Sequence, residues 1–98
     1  MTVRVVADCW IRQDAVEEFE IAAKELVAQT QAKDPGCLAY DLFRDVADPL
    51  HLTVIEEWRS QAALDAHMAS EHFQRLIPAF GECAQADKPG VIAVYEPA

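Results

Sequence analysis

Residues 3–10, VRVVADCW, are crowded with β-branched and aromatic side chains and predict a first strand. Val16, Phe19, Ala23, Leu26 and Thr30 then recur at helical spacing, with Glu17, Glu18, Lys24 and Glu25 on the other faces. Asp14 followed by Glu17 reads as a capping box, so helix one should begin near Ala15. It must stop before Asp34-Pro35-Gly36, because proline disfavours helical geometry in the residue before it and glycine allows positive φ. Residues 37–45 predict a second strand, with Leu38, Tyr40 and Leu42 on one face and Ala39, Asp41 and Phe43 on the other. Asp48-Pro49 signals a turn. Residues 51–58 form a third strand whose Leu52, Val54, Glu56 and Trp58 share a face. Ser60 is a good N-cap for helix two. That helix carries Leu64, Met68 and His72 at a spacing of four, with Ala63 and His67 beside them. Phe73, Leu76, Ile77 and Phe80 prolong the stripe, and Pro78 within it predicts two segments rather than one rod. Residues 91–95, VIAVY, follow Lys88-Pro89-Gly90 as a last strand.

The order βαββαβ is the split-βαβ pattern of ferredoxin-like α+β folds. It predicts one domain over residues 1–98, with a four-stranded antiparallel sheet and both helices on one face. A half-exposed sheet should alternate apolar with polar. Here Val3, Val5 and Ala7 are opposed by Val6 and Trp10, and Ile92 and Val94 by Val91, Ala93 and Tyr95. The helices cover only one face, so the other is expected to meet a second copy as a homodimer.

Composition narrows the partners. Eight Lys and Arg against 17 Asp and Glu give a net charge of −9, which opposes nucleic acid and anionic lipid. No basic-then-apolar leader and no membrane-length apolar run is seen, so a cytoplasmic protein is expected. Cys9, Cys37 and Cys83 are odd in number and widely spaced, which argues against a disulfide framework or a zinc site. With three glycines, two of them after proline, no phosphate-binding loop is present.

The polar chemistry gathers in residues 51–73. Glu56 alternates with Val54 and Trp58, so its carboxylate points where apolar groups point. It must find a partner or be pushed toward neutrality. It could be a general base or the orienter of a histidine, or a buried structural hydrogen-bonding group. Trp58 could wall an aromatic pocket or simply pack the core. His67 and His72 could move protons near neutral pH. They lie five apart, off the i, i+4 spacing of two ligands on one helix, and no Asp or Cys completes a set, so no metal is expected. Tyr40 could orient a substrate oxygen.

Asp34-Pro35-Gly36-Cys37-Leu38-Ala39-Tyr40 resembles the entry to strand two of the antibiotic biosynthesis monooxygenase domain family. Glu56-x-Trp58-x-Ser60, Ala63-Leu64-x-x-His67 and Ser70-x-His72-Phe73 resemble its second block. The resemblance implies a dimeric α+β barrel and a cofactor-independent monooxygenase that oxidises a quinol or similar electron-rich aromatic with O₂. In such members the deprotonated substrate supplies the electrons, so an apolar pocket and a proton acceptor suffice. His67 would take the proton and Glu56 would tune it, with Trp58 and Tyr40 shaping the pocket and His72 at its edge. A haem-degrading relative would need an axial histidine where this chain has Ile77. An isomerase or lyase using the same residues on a small metabolite, and a non-catalytic ligand-binding module, are the alternative readings.

Overall fold

The computed structural model describes all 98 residues. Its strands are β1 (Val3–Trp10), β2 (Cys37–Arg44), β3 (His51–Trp58) and β4 (Val91–Tyr95). They pair antiparallel in the order β2-β3-β1-β4. This is the expected α+β ferredoxin-like sheet. Helix α1 (Val16–Lys33) joins β1 to β2, and α2 (Gln61–Met68), α3 (Glu71–Leu76) and α4 (Pro78–Glu82) join β3 to β4. No helix is long and apolar enough to cross a membrane.

The helices pack on one face of the sheet. Val3 and Val5 of β1, Tyr40 of β2, and Val54 and Trp58 of β3 bury against Leu26 of α1, Leu64 of α2 and Leu76 of α3. A second cluster joins Cys9, Ile11 and Leu52 to Phe19, Ala23 and Cys83. Register explains why the residues of the first cluster meet. Glu56 lies opposite Val5 on β1 and Tyr40 on β2, and directly opposed residues in a sheet point to the same side.

Two local expectations need correction. Asp14 makes no capping box: a 3₁₀ turn at Gln13–Ala15 precedes α1, and Asp14 instead accepts from Arg12 Nε at 3.2 Å. The second helical region has three segments, not two. Pro78 opens α4 as expected, at the first-turn position where its missing N–H costs nothing. An earlier break falls at Ala69-Ser70, where Ser70 Oγ accepts from Phe73 N–H and starts α3 afresh.

Candidate active site

Between the sheet and helices α3 and α4 lies a cavity of about 250 Å³. Tyr40 and Glu56 line it from the sheet, Phe73, Ile77 and Phe80 from the helices, and Ile92 from β4. A smaller void of about 40 Å³ lies beside it, lined by Leu64, His67 and Met68. Glu56, Phe73 and Ile92 border both spaces.

Glu56 is the polar centre of this region. It is only 6% exposed. Its Oε1 accepts a hydrogen bond from Trp58 Nε1–H at 2.9 Å, and Oε2 has no partner in the chain. Burial raises the Glu56 pKa from an ordinary 4.5 to about 7, and the Trp58 bond holds back part of that rise. A carboxylate with one free oxygen on an apolar cavity, titrating near neutrality, is suited to take a proton from a bound hydroxyl. Tyr40 beside it stays protonated, because burial and the nearby Glu56 charge raise its pKa strongly.

Trp58 does not wall the cavity. It is fully buried, and its indole spends its one donor on Glu56. The residues are two apart on one strand face, so alternation alone sets them side by side.

His67 is enclosed by Trp58, Tyr40 and Phe73, with ring centroids 4.7, 5.1 and 5.0 Å away. Its Nδ1 lies 2.6 Å from Asp34 Oδ2. Burial lowers its pKa despite the opposing pull of Asp34. A neutral ring facing a carboxylate at that distance must carry its proton on Nδ1. That leaves the Nε2 lone pair bare, and it is buried without a partner.

His72 is not at the cavity's edge. It is buried, and Nε2 donates to the same Asp34 carboxylate, 2.9 Å from Oδ1. The expectation that no acidic residue joins the two histidines is thus corrected. The break at Ser70 lets α2 and α3 turn independently, so a spacing of five becomes a facing pair. Asp34 reaches them from the turn before β2. Gly36 shapes that turn at φ 84°, and a Cβ on it would come within 2.8 Å of Ala63 Cβ on α2. Turn and helix therefore fit closely because residue 36 is glycine. The two ring nitrogens and the carboxylate lie within 4.8 Å of one another, near enough to share a metal ion. The same contacts also form a hydrogen-bonded triad that is complete without one. Each of its side chains is less than a tenth exposed, so no open position faces a substrate.

Of the residues singled out in the sequence, Glu56 and Tyr40 reach the large cavity, and His67 reaches only the small one. Trp58 and His72 stand behind them. Asp34 was legible only as a turn residue, Phe73, Phe80 and Ile92 only as apolar strand and helix positions, and Ile77 also as the place of an absent haem ligand. The third histidine, His51, lies on the opposite sheet face, held by Asp45 at 3.0 Å and Asp8 at 2.7 Å. Burial raises the Cys9 thiol, which also borders the large cavity, to about 11, so it stays protonated and unreactive.

The model of the antibiotic biosynthesis monooxygenase family matches residues 2–79. A Mycobacterium tuberculosis protein named "Putative monooxygenase Rv0793" is 33% identical over 95 residues, covering 97% of this chain and 90% of its own. A crystal structure of an antibiotic biosynthesis monooxygenase is 38% identical and superposes with a TM-score of 0.88, covering 98% of each chain. An uncharacterised Synechocystis protein is 28% identical over 92 residues, a match that takes in 94% of this chain but 60% of that relative's length.

Proposed function

The chain belongs to the antibiotic biosynthesis monooxygenase family, and from that membership we propose that it oxygenates a small electron-rich aromatic, a quinol or similar phenol, with O₂ and no bound cofactor. The observation that carries the reading is the apolar cavity with one carboxylate, Glu56, titrating near neutrality at its floor. Glu56 takes the hydroxyl proton. The resulting phenolate is the electron donor to O₂: one oxygen atom enters the ring, the other leaves as water, and both reducing equivalents come from the substrate. For a quinol the product is a hydroxyquinone plus water, which balances without an external reductant.

This exchanges the roles expected from the sequence. Glu56 faces the substrate cavity and acts as the base. His67 is a positioning residue beside it, fixed in one tautomer by Asp34, and Trp58 tunes Glu56 through its N–H. The functional unit is proposed to be a homodimer joined through the uncovered sheet face.

The test is oxygen uptake with a menadiol-like quinol, with ¹⁸O₂ to show one labelled atom in the product. The rate should rise with pH as Glu56 ionises, level off above about 7, and fall by about 10²–10⁴ in Glu56→Gln, the usual worth of a general base. Trp58→Phe removes the bond that favours the ionised carboxylate, so its pH profile should shift to higher pH. Uptake no faster than spontaneous oxidation, indifferent to Glu56→Gln, would overturn the reading.

A further inference from the structure

The charge lining the large cavity is one-sided. Among the bordering residues no Lys, Arg or His is found, and the acidic ones are Glu56 and Asp8. Asp8 does not direct its carboxylate inward. It pairs with Thr53 across the sheet, and its side chain accepts from Thr53 Oγ1 and lies against His51 Nε2, both at 2.7 Å, on the far face. Cys9 and Tyr40 remain neutral there because burial raises both. His67 borders only the smaller void beside Glu56, and burial lowers its pKa and favours its neutral form. Glu56 is thus the single charge that the cavity presents, with no cation on its lining to compensate a second negative one.

From this geometry we infer that the site takes a neutral hydroxylated aromatic of one or two rings and turns away carboxylate and sulfonate analogues of the same shape. The inference rests on the cavity being the substrate site and adds the substrate's charge class. Size sets the ring count. A cavity of about 150 Å³ holds benzene, drug-sized pockets begin near 300 Å³, and this one is about 250 Å³. Charge conservation sets the sign. When a neutral phenol gives its proton to Glu56, the carboxylate becomes neutral as the phenolate forms, so the cavity holds one negative charge before and after. A substrate that arrives as an anion puts two negative charges in an apolar space with no cation, where repulsion is weakly screened. Once Glu56 is protonated the repulsion is relieved and only the cost of desolvating the anion remains. The discrimination should therefore be strong above pH 7 and weaker well below it.

Calorimetric titration of the whole protein with 2-naphthol and 2-naphthoate, at about pH 8 and about pH 5.5, reads this directly on either side of the Glu56 transition. These probes require no turnover. A failure to oxygenate quinols would overturn the proposed reaction while leaving this result intact. At the higher pH the naphthol should bind at least about tenfold tighter, a gap well within what one unpaired charge contributes. The gap should shrink at the lower pH. In Glu56→Gln the gap at the higher pH should narrow to about its size at the lower pH and lose its pH dependence, the desolvation cost of the anion remaining. Naphthoate binding as tightly as naphthol to the native protein at the higher pH, or an unchanged gap in Glu56→Gln, would overturn the inference. So would the absence of binding by either probe.

Discussion

At the residue scale, Glu56 links stability to chemistry. Its folded pKa is raised above its unfolded value, so the folded protein holds the proton more tightly than the unfolded chain does. The sign follows from linkage: the contribution is fully present below about 4.5 and is lost as pH rises through about 7. The size is on the order of 3 kcal/mol, from roughly 1.4 kcal/mol per pKa unit. His67, with its pKa lowered, acts in the opposite direction and loses stability as pH falls. Total stability against pH therefore mixes the two, and only a difference between variants isolates either. Glu56→Gln keeps an oxygen for Trp58 Nε1–H and removes the charge. Relative to the native protein it should gain about 3 kcal/mol between about pH 4 and about pH 8, read from urea midpoints at both. Parallel pH curves for the two proteins would show that Glu56 does not titrate in the folded state as described. That Glu56 is buried was legible from alternation in β3. That Asp34 holds His67 and His72 was not, because those contacts span 33 and 38 residues and depend on how α2 and α3 dock on the turn.

At the element scale, all four strands and α1 follow from local pattern, since side-chain alternation and helical spacing are properties of neighbours. The break at Ser70 escaped the pattern. The apolar stripe runs on through α2, α3 and α4 as if the helix were continuous, and only the serine cap with Glu71 in the first turn of α3 marks the restart. The short α4 is the cavity's adjustable wall. Gly81 borders the cavity, and a Cβ built on it meets nothing within 4 Å. Gly81→Leu should therefore enter open space without strain. It should leave stability unchanged or raise it by about 1 kcal/mol, the helix preference of leucine over glycine. In the same protein 2-naphthol affinity should fall by at least about tenfold, since even one methylene in an apolar pocket changes binding by that much. A stable Gly81→Leu protein with native naphthol affinity would place the aromatic site elsewhere.

At the scale of the whole molecule, the uncovered sheet face poses the remaining question. Most of its polar groups, though not the exposed Asp41 opposite Ile55, are already paired within the chain: Arg4 with Glu57 at 3.0 Å, and Asp8 with Thr53 and His51. Its apolar groups are not. Phe43, Ile55, Val91 and Tyr95 are each about half exposed, and the strand register sets them on the side away from the helices. Polar groups mostly satisfied internally beside bare apolar ones describe a surface prepared for contact rather than for water. A second copy brings the same surface, and a two-fold axis lets each apolar group meet an equivalent one. A stable contact of this kind buries about 800 Å² per partner, out of 5828 Å² exposed on one chain. Sedimentation at micromolar concentration should accordingly give twice the 10.9 kDa chain mass. Ile55→Glu, which sets a second carboxylate opposite Asp41 in the middle of the central strand β3, should shift the protein to one chain mass, because an unpaired charge buried at an interface costs several kcal/mol. Its effect on the isolated fold should be small, since Ile55 is already 44% exposed there. A native protein that sediments as a single chain would remove the dimer. An Ile55→Glu protein that remains double would move the interface off this face.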